Sequence, residues 1–344
     1  NNQVAPGAAD VVHYRLSVPS GITSDVTVEI RLQYRKFDTT LMSYVYGDDF
    51  VNDLPIITLA SDRITFPLNR GRLVENPAKD VPEWERWNDY GIGMLLKGGK
   101  TKGQLRNAEM AFARVEQLGR SEGPLNLARV YVQQGTVQDR AIEALQRAGT
   151  FRPPAPSWSV AWFTGLVNRQ NGFLDEAIAN FESIVALDDT ETRSRGLDFS
   201  QDYRLLNELG QAVFERARQE RGDGNRPERD RLLGEARGSF ERALALDPEN
   251  TTALYNLSLI HRQLGDTVKG GQYLLEYQKY RIDDNARGQA VSKARIRDPA
   301  ASHAAEALVV YDLNRRSAYE RGVDASERAA SAFELITSGE TIEK

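Results

Sequence analysis

Three histidines, His13, His261 and His303, are the side chains that could exchange a proton near neutral pH, and they are scattered along the chain. His13 falls on the polar side of an alternating strand-like run. His261 occupies a slot where the surrounding pattern favours a packed residue, and His303 opens a helical run. Asp223-x-Asn225 begins like a calcium loop, but Glu228 stands where the loop needs glycine. Gly91-x-Gly93 follows no strand, so it lacks the context of a dinucleotide site, and Lys97-Gly98-Gly99-Lys100 lacks phosphate-loop spacing. Asp48-Asp49 and Asp283-Asp284 read as solvated turns, and no Ser-His-Asp arrangement emerges from spacing. Cysteine is absent, which removes disulfides, thiolate catalysis, zinc–thiolate sites, iron–sulfur clusters and thioether-bound haem. The expectation is therefore a chain with no catalytic residues, no metal site and no cofactor.

The informative pattern is structural. Gly91, Ala128, Gly165 and Gly210 each lie in an apolar, helix-like run. Each is followed by a second run opened by a small residue, Ala108, Ala141, Ala177 or Ala236. A bulky partner comes four positions later, at Phe112, Leu145, Phe181 and Phe240. A fifth copy reads Ser258, Gly270, Leu274. Small residues at a crossing let two helices approach closely, and the bulky residue fills the gap to the next pair. Such repeats specify an α-solenoid, which usually presents binding surface.

The repeats resemble the tetratricopeptide family, whose pattern is W-x2-L-G-x2-Y, then A-x3-F, then P, on a period of about 34 residues. Trp87-x2-Tyr90-Gly91-x2-Met94 opens the first copy, and Asp247-Pro248 closes the fourth. The spacing from Phe240 to Leu274 is 34 residues, but from Phe181 to Phe240 it is 59, with extra residues at Asp188 to Ser200 and around Gly222 to Pro227. A further insertion spans Lys97 to Gly103. The resemblance implies that the first helix of each pair lines a concave groove. Positions three before, one after and four after the small-residue slot then carry the candidate contacts: Asn88, Arg129, Trp162, Arg169, Asn207, Gln211, Tyr255 and Arg262. Aromatic area plus forked guanidinium donors suits a polypeptide ligand, and three arginines point to an acidic or carboxylate-bearing segment. Ordinary packing of Trp162 and Tyr255 beside solvated arginines is the alternative.

Ahead of the repeats, residues 1 to about 75 alternate apolar and polar positions: Val12 to Val18, Val26 to Tyr34, Leu41 to Tyr46, Ile56 to Ala60 and Arg63 to Pro67. Turn residues divide these runs, at Gly47-Asp48-Asp49 and Ser61-Asp62 among others. They predict a small all-β, immunoglobulin-like sandwich of about five strands, fewer than the usual seven or so. Its open edges need cover, from the helices or from a donated strand, for which Asn1 to Asp10 is a candidate arm. A linker, residues 76–82, separates it from helical repeats over 83–280. Residues 281–344 follow as capping helices and tail, with stripes at Ala301, Ala305, Leu308 and Val309, then Ala329, Phe333 and Ile336. The overall expectation is a mostly α fold of about five tetratricopeptide-like pairs with a β module in front.

The chain has 344 residues, 40% of them hydrophobic, and a net charge of −5 with both signs interspersed. That argues against general nucleic-acid binding, which needs a basic surface. No apolar run is long enough to span a bilayer. A start at Asn1-Asn2-Gln3 without Met fits a removed signal peptide, hence an extracytoplasmic protein. Tyr34-Arg35-Lys36-Phe37, Asp53-Leu54-Pro55, Glu85 to Gly91, Ala304-Ala305-Glu306 and Tyr311-Asp312-Leu313 resemble the β-plus-repeat region of some exported multihaem cytochromes c, although C-x-x-C-H is missing. The resemblance implies an accessory role in an exported redox complex. The residue pattern itself favours a non-catalytic scaffold that associates with copies of itself, as in an extracellular filament, or with an exported protein partner.

Overall fold

The computed structural model describes residues 8–14, 18–68, 81–97, 102–135 and 138–297. The expected stripes beyond residue 297, His303, Asn1 to Gly7 and most of the linker lie outside them. The chain divides into two compact units: one holds residues 8–14 and the helices from Glu83 onward, and the other holds residues 18–68.

The second unit corrects the sandwich. Among the described residues it contains one two-stranded antiparallel sheet, β1 (Val26–Tyr34) against β2 (Ile57–Phe66), with α1 (Thr39–Tyr46) between them in sequence. Of the five expected strands, one is a helix, two are a single strand, and the first is not a strand over its described residues. Leu41 to Tyr46 carries β-forming side chains, but Asp38 accepts the Leu41 amide at 2.7 Å and starts a helix that ends at Gly47, φ 100°. The two runs expected on either side of Ser61-Asp62 are one strand. Arg31↔Ser61 and Ile30↔Asp62 pair in register, and Arg63 lies opposite Glu29, 3.5 Å from its carboxylate. A bulge at Leu32/Gln33 absorbs the shift. Residues 12–14, the described start of the expected Val12 to Val18 strand, belong to no strand and pack in the other unit, and residues 15–17 lie outside the described residues.

The helical unit follows the ruler. Its pairs are α2 (Glu83–Lys97) with α3 (Lys102–Gln117), α4 (Glu122–Gln134) with α5 (Gln138–Thr150), and α6 (Ser157–Asn171) with α7 (Leu174–Val185). After the short α8 (Thr190–Ser194) come α9 (Tyr203–Gln219) with α10 (Arg226–Leu246), then α11 (Thr251–Gln263) with α12 (Thr267–Tyr280) and the added helix α13 (Asp284–Arg297). Each second helix also packs on the first helix of the next pair, so the pairs stack in sequence order.

The small residues are small for a visible reason. A methyl group at Gly91 would lie 2.5 Å from the Phe112 ring, at Gly165 2.6 Å from Phe181, and at Gly210 2.9 Å from Phe240. Those three rings are fully buried. The two insertions of the fourth copy build different things. Asp188 to Ser200 forms α8, capped by a reciprocal Asp189–Thr192 box, and sets Phe199 5.8 Å from Trp158. The residues around Gly222 mark the turn between α9 and α10, the two longest helices of the array.

Candidate protein-contact face

The first helices α2, α4, α6, α9 and α11 carry the eight residues singled out in the sequence, and polar bridges join neighbours among them. Asn126 on α4 donates to Asn88 on α2 at 2.8 Å, and Arg129 donates to Asn126 Oδ1 at 3.0 Å. Arg129 also lies 5.8 Å from the Phe163 ring of α6. On α6, Arg169 reaches across to α9, donating to Gln211 at 2.9 Å and pairing with Glu208 at 2.9 Å and Glu215 at 3.1 Å. Asn207 is buried and donates to Asn250, whose Oδ1 also caps α11 by accepting from the Ala253 amide at 2.9 Å. Trp162 packs 5.7 Å from Phe181, Tyr255 lies tilted against Tyr277 at 5.2 Å yet stays 43% exposed, and Arg262 is exposed with its stem over Gly270.

These residues therefore differ in what they have left to give. Arg169 is neutralised by two carboxylates. Arg129 has no carboxylate partner among the described residues, and burial pulls its pKa below the usual arginine value. An incompletely compensated guanidinium beside aromatic surface suits an incoming carboxylate. Asn126, Phe163 and Glu208 were not singled out. All three lie two positions before the small-residue slot, one helical turn from the position after it, and that i, i+3 relation was the available signal.

The histidines do not converge on this face. His261 is buried, stacks 5.4 Å from Tyr273, and has its pKa lowered by burial and then by Lys269. His13 lies at the other end of the array, near Tyr90.

Glu208 gives this network a pH signature. Burial raises its pKa above the ordinary 4.5, with Arg169 opposing and Glu215 reinforcing the rise. A carboxyl raised on folding binds more protons in the folded state, so its contribution to stability falls as pH climbs past the unfolded value. Arg169→Ala removes the opposing charge and should steepen that fall. In thermal unfolding, the variant should lose more Tm relative to wild type near pH 7 than near pH 4; equal losses would contradict the coupling.

Stacked α-hairpins with a shared row of first helices define an α-solenoid of the helix-pair repeat class. The tetratricopeptide repeat model matches residues 229–290, so the chain carries tetratricopeptide repeat sequence through α10, α11 and α12. No curated protein matches the chain. Among solved structures, one described as MamA protein is 16% identical, covering 57% of this chain and 91% of its own, with a TM-score of 0.40. A MamA AMB-1 structure is 21% identical, covering 56% and 96%, at 0.40, and a MamA MSR-1 structure is 20% identical, covering 57% and 95%, at 0.39. Likeness at that level says nothing about what this chain binds. No described helix is long and apolar enough to cross a membrane.

Proposed function

We propose that this protein is a non-catalytic scaffold for protein–protein interaction, working outside the cytoplasm and associating with copies of itself, with assembly into a filament as the extended form. The observation that carries the reading is the array: five helix pairs stacked in sequence order, three of them closed internally by a glycine–phenylalanine contact, offering one continuous row of first helices. Such arrays bind by presenting extended surface. Along that row the contact residues are Asn88, Arg129, Trp162, Arg169, Asn207, Gln211, Tyr255 and Arg262, with Arg129 and Tyr255 keeping the most capacity for a ligand. The ligand class is a polypeptide segment bearing a carboxylate, which Arg129 reads by forked hydrogen bonds. Self-association uses the ends of the stack, since a heterologous contact that does not close propagates.

Electron microscopy of native protein tests the assembly reading. Filaments or discrete oligomers are the expected result. Singly dispersed particles at every concentration would contradict self-association and leave the row of first helices to a different partner.

A further inference from the structure

Residues 8–14 lie on the outer side of the first helix pair, although Arg15 to Pro82 separate them from it in sequence. Their contacts are specific. Asp10 pairs with Lys97 at 2.7 Å, and Lys97 Nζ also donates to the Val11 carbonyl. The His13 ring sits edge-on to Tyr90 at 6.2 Å. Gly93 is the seat: a methyl group there would lie 2.5 Å from Val11 Cγ2 and 3.3 Å from the Val11 nitrogen. Val11 and His13 are half-buried while Val12 and Tyr14 are exposed, which is an extended segment with one side laid down.

The position of that seat in the repeat explains it. Gly93 lies two residues after the small-residue slot. The residues at the same place in the other pairs are Val130, Val167, Ala212 and Ile260, all at 0% exposure. In α4 this side meets the preceding pair. Gly123 is one helical face with Leu127 and Val130, and a methyl at Gly123 would strike the backbone of Glu116 on α3. Among the described residues, helix α2 has no preceding pair in the array. At about 100° per residue, Tyr90, Gly93 and Lys97 lie roughly opposite Asn88, the residue that reaches the following pair. Where the later first helices bring their own aliphatic side chain, α2 brings glycine, and Val11 supplies the missing one.

We infer that residues 8–14 are a plug over the stacking surface of the first helix pair, and that the surface under the plug docks a second copy of this chain. The second copy is the partner because the corresponding surface of each later pair is covered by a helix pair of this same chain. This inference rests on the self-association proposed above and adds which end is used and what holds it closed. The plug competes with the neighbouring copy for Gly93, Tyr90 and Lys97.

Sedimentation equilibrium over a concentration series tests it on three proteins: the full chain, the chain lacking residues 1–14, and Gly93→Val. The valine gives α2 the side chain that α4 and α6 already carry at this place, so it displaces Val11 without disturbing the helix; circular dichroism confirms that both variants remain folded. The expected result is an association midpoint at least tenfold lower in concentration for both variants than for the full chain. Unchanged midpoints in folded variants would overturn the plug while leaving self-association standing. Midpoints raised in both would also overturn it, making the segment the bridge between copies instead. Three concentration-independent monomers would overturn the plug and self-association together.

Discussion

Phe240→Ala is expected to destabilise the array by about 3–5 kcal/mol, the range for truncating a fully buried aromatic. The ring is at 0% exposure and occupies the gap left by the missing side chain of Gly210, within 3.0 Å of where a methyl group would stand. The neighbouring core, Leu206, Leu209, Leu233, Ala236 and Leu257, comes from three helices held by their own hydrogen bonds. It cannot collapse onto a lost ring without moving a backbone. The loss is a large part of the total stability of an ordinary domain. Because each pair contacts only its neighbours, α9, α10 and α11 should unfold before the pairs nearer α2. Denaturant titration followed by circular dichroism should show an early partial step in the variant. Leu246→Ala, at a residue 38% exposed, should cost no more than about 1 kcal/mol. A Phe240→Ala protein as stable as that control would contradict the packing described.

Gly123→Ala is expected to be the second large effect, and its sign runs against helix propensity. Alanine is normally favoured over glycine within a helix, by about 0.5–1 kcal/mol in the interior and by less in a first turn such as that of Gly123. At Gly123 the added methyl would stand 2.3 Å from the Glu116 nitrogen and 2.6 Å from its Cα. Those are backbone atoms of α3, so no side chain can swing aside, and the two helices must separate. The cost should lie near the top of the usual overpacking range, about 3 kcal/mol. Gly238→Ala is the matching control, a mid-helix glycine in α10 with nothing within 4 Å of the added group. It should stabilise by about 0.5–1 kcal/mol. Thermal unfolding of the two variants should move Tm in opposite directions; a shared direction would mean that α3 and α4 do not approach this closely.

The helical half of the fold was readable because close approach of two helices demands particular residue types at a fixed interval. Gly91 with Phe112, Gly165 with Phe181 and Gly210 with Phe240 could be matched by type and spacing alone, and in the structure each pair is in contact. The β half was not readable in the same way. Its strands were inferred from alternation, and alternation does not register a cap such as Asp38 or a register that carries Ser61 and Asp62 through the middle of a strand. The row of first helices was visible as a set of positions, but the internal pairing of Arg169 was not. Glu208 and Glu215 lie on another helix, and no spacing rule links them to it. Gly93 enters the sequence only as part of Gly91-x-Gly93, a motif without its strand; the position of Val11 gives it a purpose.

The chain therefore has the parts of an interaction scaffold: a repeated wall, a half-buried arginine on that wall with no carboxylate partner among the described residues, and an end covered by a short segment from elsewhere in the sequence. The role proposed for this wall is to hold other polypeptides, foremost copies of itself. The most direct measurement is the mass of the full chain in solution as a function of concentration. The mean mass is expected to rise above that of one chain, 38.5 kDa, as concentration increases. A mass that stays at one chain across the whole accessible range would contradict it.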